Sequence, residues 1–600
     1  MAQPVTDLNP PALTAAKLWQ LVCDPAPGRL AYAMRMAAGC TVTVLVGEIW
    51  QIPDLAVPAL VTMALWQKDR MSNVLVAVAV NILVLPLLAM IFGGICLTLE
   101  TPVAFVSLIA LLSMGFFFLS SASKLKPVAY MLGLIVVFGL VVVEQVPIGE
   151  LITRALLYTD LFVSVPGAVM IVLGLLICPS PKRVLTDDIA ACLRVSAVLL
   201  RGPSARDHAH ATFMLREGLS DAGKLVRLAG MEKIWDPHDL ACLKQAANSA
   251  VAVLALAEAE ITRAGPPAPC PIELIDALES MANVFATGAY PKHVDQPATP
   301  PDQPAFQAIA RVLVNFTQLG EPTAEQPAKP KKKDGFFAAD AFTNPEHVRF
   351  ALKGTAAVMV SYVFFLFINW PGIHTCVITC FIIALPTMGE MIAKLRLRIV
   401  GALIGGSIGI LSIIFLLPHL EGITGFLGFV FVVSLFAAWI RVADERIAYA
   451  GFQIGLAFYL SDLKGYGPTS DMATARDRVV GILVGIFITY GIFSSFWPSS
   501  AYGAVATRLK TVLESLGRLR AATTPQEQVA CMASLQEAVS KGEQQVEYAK
   551  AESQNMRDRM AQLELFEGAF VDAGRLGTEI LDGTQPALVK RIATLEALAS

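Results

Sequence analysis

Apolar residues gather along this chain in two groups of six runs, separated and followed by stretches of mixed, helix-like patterning. The first group falls at roughly 30–49, 54–66, 74–97, 103–119, 127–146 and 158–178. The second falls at roughly 351–368, 372–388, 397–417, 422–440, 446–461 and 477–497. Most runs approach the ~20 apolar residues that a helix needs to cross a hydrocarbon core. The second run is short, and Pro53 and Pro58 interrupt it. That predicts a tilted or partly broken helix, covered by protein rather than lipid. The expected fold class is all-α: a polytopic membrane protein of two tandem six-helix transmembrane repeats with helical cytoplasmic domains.

Between the groups, residues 184–290 carry amphipathic helical spacing, as from Ala247 to Ile261. A charged, proline-rich stretch follows from Pro291 to Asp334, with Pro297, Pro300, Pro301 and Pro304, and it ends in the run Lys329-Pro330-Lys331-Lys332-Lys333. A helical piece near Phe306–Leu319 interrupts what otherwise reads as a linker. The lysines either touch an anionic leaflet, worth about 1 kcal/mol per charge, or are simply solvated. Residues 500–600 are again helical and charged, without a sustained coiled-coil seam. The division expected is therefore a cytoplasmic segment 1–29, a membrane block 30–178 and a helical cytoplasmic domain 179–290. A linker 291–345, a second membrane block 346–498 and a helical cytoplasmic domain 499–600 complete it.

The two blocks read as copies. Trp50 and Trp370 stand 320 positions apart, each ending a first helix with a proline soon after. The closing pairs Pro179-Ser180 and Pro498-Ser499 stand 319 apart. Six helices per copy is an even number, so both copies point the same way, as parallel repeats do.

Composition supports the membrane reading. Of 600 residues 55% are hydrophobic and 16% charged, against about 25% charged in soluble domains; mean hydropathy is +0.60. The net charge of −3 averages unlike parts, and no basic domain points to nucleic acid. Residues 1–29 contain Pro4, Pro10, Pro11, Pro25 and Pro27 and no apolar signal core, so insertion is expected to begin with the first membrane helix. Ten scattered cysteines, several within apolar runs (Cys40, Cys96, Cys178, Cys376, Cys380), read as small packed side chains rather than a disulfide framework.

Lysine and arginine in short loops set the orientation. With the N-terminus inside, Lys68, Arg70, Lys124, Lys126, Lys182 and Arg183 fall inside in the first block, and Lys394, Arg396, Arg398, Arg441 and Arg446 in the second. Arg154 falls outside, where Glu48, Asp54, Glu100, Glu144 and Glu150 gather. Both termini are then cytoplasmic. Arg476 and Arg478 sit at the outer end of the last helix and oppose the rule.

Candidate chemistry is sparse. There is no G-x-x-x-x-G-K-[ST] phosphate loop, no H-E-x-x-H and no paired C-x-x-C, so neither an enzyme, a cofactor nor a metal is expected. His208 and His210 lie in a polar segment. Cys376 and Cys380, near His374, read as packing before they read as soft-metal ligands. Gly401, Gly405 and Gly409 stand four apart, as do Gly451 and Gly455, and Gly481 and Gly485, a spacing that lets membrane helices approach closely. Charges near the membrane say more, because each costs a few kcal/mol unless paired or wet. Arg35 lies within the first helix, and Glu390, Lys394, Arg396 and Arg398 cluster between the eighth and ninth. Asp444, Glu445 and Arg446 lead into the eleventh, and Asp471, Arg476, Asp477 and Arg478 into the twelfth. On the cytoplasmic side such residues anchor topology by snorkelling. The outer arginines read either as ion pairs with Asp471 or Asp477 or as part of an anion path.

The second block carries a resemblance. Trp370-Pro371-Gly372-Ile373-His374-Thr375-Cys376, then Thr379, Gly389-Glu390 and Arg398, resembles the fusaric-acid-resistance (FUSC) family. So do Glu445-Arg446-Ile447-Ala448-Tyr449-Ala450-Gly451 with Gln453 and Ala457-Phe458, and Gly465-Tyr466-Gly467-Pro468-Thr469 with Ala475-Arg476-Asp477-Arg478. Together these stretches look most like the MdtO-type multidrug-resistance subgroup, over about residues 345–500; the first block matches in layout only. The resemblance implies a multi-pass inner-membrane component in Gram-negative bacteria that exports aromatic acids or drugs. Such a component works beside a periplasmic adaptor and an outer-membrane channel; self-association into a homo-oligomer stays open. It also implies kinship with plant aluminium-activated malate channels. Candidates for the substrate or ion pathway are Arg35, Trp370, His374, Glu390, Arg398, Glu445, Arg446, Asp471, Arg476, Asp477 and Arg478. Glu390 and Glu445 are the candidate proton carriers of a proton-coupled exporter. A passive organic-anion channel and a membrane scaffold are the alternatives.

Overall fold

Both apolar groups fold as six helices, and the second helix of each is too short to cross a bilayer. The computed structural model describes residues 19–599 except 20, 24–25, 27, 99, 125, 145–148, 203, 218–220, 264–269, 320–334, 339, 464, 466, 470, 554–555, 557–561 and 585–587. The prolines before Gly28, the lysine run 329–333, Tyr466 and the side chains of Lys126 and Glu144 lie outside the described residues.

The first block comprises α1 (Arg29–Ile49), α2 (Ala56–Leu65), α3 (Arg70–Thr98), α4 (Pro102–Ala122), α5 (Lys126–Glu144) and α6 (Gly149–Ile177). An extramembrane group follows: α7 (Pro181–Arg201), α8 (Ala205–Glu217), α9 (Ala222–Met231), α10 (Pro237–Thr262), α11 (Ile272–Ala286) and α12 (Pro304–Val314). The second block is α13 (Pro345–Phe367), α14 (Thr375–Ile383), α15 (Met388–Leu411), α16 (Ile423–Arg441), α17 (Glu445–Asp462) and α18 (Met472–Ser495). The chain closes with α19 (Val505–Ala521), α20 (Pro525–Ala551), α21 (Leu563–Asp582) and α22 (Leu588–Ala599).

Among the described residues nine helices are long and apolar enough to span a membrane. One of them, α10, has 83% of its apolar window buried by protein, so its hydrophobicity serves a helical core rather than lipid. With 10 and 9 residues, α2 and α14 rise only about 15 Å, and neighbouring helices cover them.

The repeat is written in the backbone. Gln51 (φ 52°) and Asn369 (φ 54°) both adopt the left-handed conformation after the first helix. The next amide reaches back five residues in each copy: Ile52 N to Gly47 O (2.9 Å), and Trp370 N to Phe365 O (3.2 Å). That is the bonding of a Schellman stop. In this register Pro371 matches Pro53, a separation of 318, and Trp370 matches Ile52. The Trp50–Trp370 pairing read from sequence is therefore out by two positions. The third helix of each copy is hung in the same way, Arg70 N on Pro179 O (3.0 Å) and Met388 N on Ser499 O (2.9 Å).

The copies interlock. The fourth helix of each packs on the first helix of the other (α4 on α13, α16 on α1), and the fifth on the other's second (α5 on α14, α17 on α2). The two segments outside the membrane blocks also join: Leu193, Leu254, Phe285, Ile309, Leu516, Leu535 and Phe570 share one hydrophobic core. The linker's helix α12 contributes Phe306, Ile309 and Leu313 to it. This bundle caps one end of the membrane helices; the opposite end is called distal below.

Among the boundaries that differ from the hydropathy reading, two move candidate charges onto helices. Helix α15 begins at Met388 rather than near 397, because Thr387 caps it, its side chain accepting from Glu390 N at 3.4 Å. Thr387-x-x-Glu390 is a capping-box pattern that an apolar window overlooks. Glu390, Lys394, Arg396 and Arg398 thus lie on the helix, not between helices. Likewise α18 begins at Met472, with Asp471 accepting from Ala473 N at 3.0 Å, so Arg476, Asp477 and Arg478 occupy its first two turns.

Candidate substrate pathway

The glycines of α15 and α17 set how near the pathway helices come. A Cβ at Gly401 would lie 2.7 Å from Ala450 O, and one at Gly409 would lie 2.7 Å from Ser461 Cβ. With α15 and α17 held backbone to backbone, side chains on the adjoining stripe are driven into protein. Glu390, Lys394 and Arg398 recur every four residues on α15 and form that stripe.

Arg398 is the deepest of them, 1% exposed. Its Nη2 donates to Thr379 Oγ1 of α14 at 3.0 Å, and its Nη1 donates to the Tyr449 hydroxyl of α17 at 3.4 Å. Its Nε is buried without a hydrogen-bond partner. Among the described residues no carboxylate forms a salt bridge with Arg398. One turn further along α15, Gln453 lies against Gly401. It is 0% exposed, and neither end of its amide is hydrogen-bonded. Thr375 Oγ1, one turn distal to Thr379, is buried and unbonded too. Toward the bundle, Lys394 Nζ stands 5.3 Å from the centre of the Tyr449 ring, a cation–π arrangement.

At the distal end, Arg478 Nη1 meets His374 Nε2 at 2.8 Å while His374 Nδ1 lies 2.7 Å from Pro371 O. A carbonyl can only accept, so Nδ1 carries the ring proton and Nε2 accepts from the arginine. Asp54 of the first block and Asp477 also act on Arg478. Arg476 donates Nε and Nη2 to Asp477 Oδ1 at 3.0 and 2.9 Å and lies 5.5 Å from the Trp370 ring. Because Arg476 is 62% exposed, this pair forms a rim worth little in stability.

The structure thus brings Trp370, His374, Glu390, Arg398, Arg476, Asp477 and Arg478 into one column through the second block, and places the other candidates elsewhere. Asp471 caps α18 and accepts from Thr474 Oγ1 at 2.6 Å. Glu445 accepts from Gln544 Nε2 at 3.1 Å, and Arg446 pairs with Glu547 at 2.7 Å. Both tie α17 to bundle helix α20 rather than facing the column. Arg35, on α1 of the first block, acts on Cys178. The sequence did not single out Thr379, Tyr449 or Gln453 as pathway residues. The available signal was the four-residue step from Tyr449 to Gln453 on a helix that also carries glycines.

The first copy has no counterpart of Arg398. The register that matches Met388 with Arg70 places Val80 at the position of Arg398, and Val61 at that of Thr379.

Residues 357–492, which contain every residue of this column, match the fusaric acid resistance protein-like family. The chain is 33% identical over 229 residues to the multidrug resistance protein MdtO of Escherichia coli (strain K12), covering 38% of this chain and 34% of that protein. The MdtO protein of Shigella flexneri is similar to the same extent. The matched stretch thus spans only 34% of the length of these relatives. No solved structure matches the chain significantly. Over this segment the chain is similar to the fusaric acid resistance protein-like family, and within it to the MdtO type.

Proposed function

We propose that this protein exports organic anions across the bacterial inner membrane, with the substrate's acid group held at Arg398 and the energy drawn from the proton gradient. The observation that carries the reading is the buried guanidinium itself. It meets neutral hydroxyls, and its Nε donates to nothing. A buried charge without a counter-charge costs several kcal/mol. A substrate carboxylate would supply that charge and accept two parallel N–H bonds, the geometry in which arginine binds carboxylates best. Gln453, with both amide ends free, and Thr375 offer neutral hydrogen bonds beside it. Lys394 toward the bundle and Arg478 at the distal end would attract an anion from either side.

In this reading the bundle is cytoplasmic, the distal end periplasmic, and the transport is secondary. The chain carries no phosphate loop, and one charge moved through 100 mV supplies about 2.3 kcal/mol. MdtO is named a multidrug resistance protein; that name supports a role in resistance. A periplasmic adaptor and an outer-membrane channel complete the proposed assembly. The distal surface offered to an adaptor consists mainly of helix ends.

The test is uptake of labelled benzoate into inverted membrane vesicles with an acid interior and the electrical potential collapsed. Passive diffusion of a weak acid drives label out of an acid interior, so accumulation inside must come from the protein. Protonophore-sensitive accumulation, lost in Arg398→Gln, supports the proposal. Protein-dependent equilibration without accumulation refutes the pump and identifies a passive anion channel instead.

A further inference from the structure

Asp462 is the last residue of α17 and is 0% exposed. Its Oδ2 is hydrogen-bonded to Ser412 Oγ, and its Oδ1 has no partner. Ser412 Oγ also lies 2.6 Å from Gly409 O. A serine hydroxyl has one proton, and here it faces two oxygens. If the carboxylate were ionised, it and the Gly409 carbonyl would compete for that proton. With a proton on Asp462, a chain forms in which the acid donates to Ser412 and Ser412 donates to Gly409. The proton count of this site favours the acid form in the conformation seen.

Three further features single the site out. Ser412 opens a π-helical stretch, Ser412–Leu416, and such widened turns concentrate at functional sites. Gly409 makes the room: a Cβ there would stand 2.8 Å from Asp462 Oδ1. The site also spans the same two helices, α15 and α17, that hold Arg398 and Gln453.

Among the described residues, the charged groups discussed on the surrounding elements are directed elsewhere. On α15 they lie at positions 390–398, at least three turns toward the bundle, and Arg441 on α16 is at that helix's bundle end. Helix α2 carries no charged residue. On α18, Arg476 pairs with Asp477, and Arg478 bonds His374. Of the loops at this end, Asp54 acts on Arg478, Glu48 lies beside Gly467, and His419 is exposed and bonded to Phe415 O at 2.9 Å.

We propose that Asp462 is the proton-binding site that couples the gradient to transport, taking a proton on exposure to the distal side and releasing it toward the bundle side. Loading and unloading it would make and break the Asp462–Ser412–Gly409 chain between α15 and α17, and so change the packing around Arg398. The inference rests on the secondary-transport reading above.

The experiment compares two modes in sodium-free inverted vesicles with labelled benzoate: accumulation driven by a pH gradient with the potential collapsed, and exchange of labelled for unlabelled benzoate without a gradient. One proton per substrate and one pH unit give wild type an accumulation of about tenfold. Asp462→Asn is expected to reduce accumulation to the equilibrium ratio and keep exchange, and Asp462→Glu to restore accumulation. An Asp462→Asn protein that still concentrates label overturns the proposal, as does one that reaches the membrane yet loses both modes. Should Asp462→Asn fail to insert, Asp462→Glu decides: a displaced pH profile of driven uptake supports the proposal, and one identical to wild type overturns it. Wild-type vesicles that exchange label but never concentrate it refute secondary transport itself, and the Asp462 assignment with it, before any variant is made.

Discussion

Gly451→Ala is the sharpest probe of how the second block is held together. Gly451 sits on α17 where it crosses α16, and an added Cβ would stand 2.6 Å from Ala437 O and 2.8 Å from Arg441 Cα, with Arg441 N nearer still. All three are backbone atoms, so no side chain can swing aside; the helices would have to separate by more than half an ångström. Overpacking of this kind costs about 1–3 kcal/mol. Alanine recovers roughly 0.5–1 kcal/mol of the helix penalty of glycine. The net expectation is about 1–2 kcal/mol of destabilisation. Gly428 provides the control, since it lies on α16 with nothing within 4 Å of an added Cβ. There only the backbone gain remains, and Gly428→Ala should stabilise by roughly 0.5–1 kcal/mol. The assay is unfolding of both purified variants and wild type in one detergent, read as apparent melting temperature. The two substitutions should move it in opposite directions. A Gly451→Ala protein as stable as Gly428→Ala would refute the claim that this spacing exists for backbone contact.

Three other outcomes follow from the geometry. Arg398→Met removes a buried charge with neutral partners and should leave the melting temperature unchanged or raised while abolishing benzoate accumulation; a large loss of stability would instead mark Arg398 as structural. Glu552 is buried and accepts from Ala501 N (2.6 Å), Gly389 N (3.2 Å) and Ser500 Oγ (2.7 Å). It joins the bundle to the start of α15, and Glu552→Ala should cost about 3 kcal/mol or more by stranding those donors, seen as a lower melting temperature. In the bundle, burial raises the Glu258 carboxyl above its ordinary value, against the opposing effects of Thr212 and His208. A group raised in the folded state stabilises fully below the unfolded value and loses that contribution as pH rises through the folded value. Glu258→Gln should therefore melt higher than wild type at neutral pH, with the difference vanishing below about pH 4; a difference independent of pH would refute the burial effect.

Much of this architecture was legible in the chain. Twelve apolar runs in two groups, a break at the second run of the first group and glycines four apart are local statements about period, length and backbone freedom. A single sequence can make such statements, because helix periodicity and turn chemistry act over a few residues. The boundaries failed where charge and helix overlap: an apolar window stops at Lys394, although a capped helix runs through it. Arg396 and Arg398 show the deeper limit. They are two residues apart, on nearly opposite sides of α15, and one is exposed while the other is buried. The helical period separates their faces, but only the arrival of α14 and α17 decides which face is interior. The same holds for Asp462, which in sequence is merely the acid that ends an apolar run, and for α10, whose membrane-like hydrophobicity is spent inside a bundle. Pairing between segments hundreds of residues apart decides burial, and burial turns an ordinary arginine and an ordinary aspartate into a candidate site.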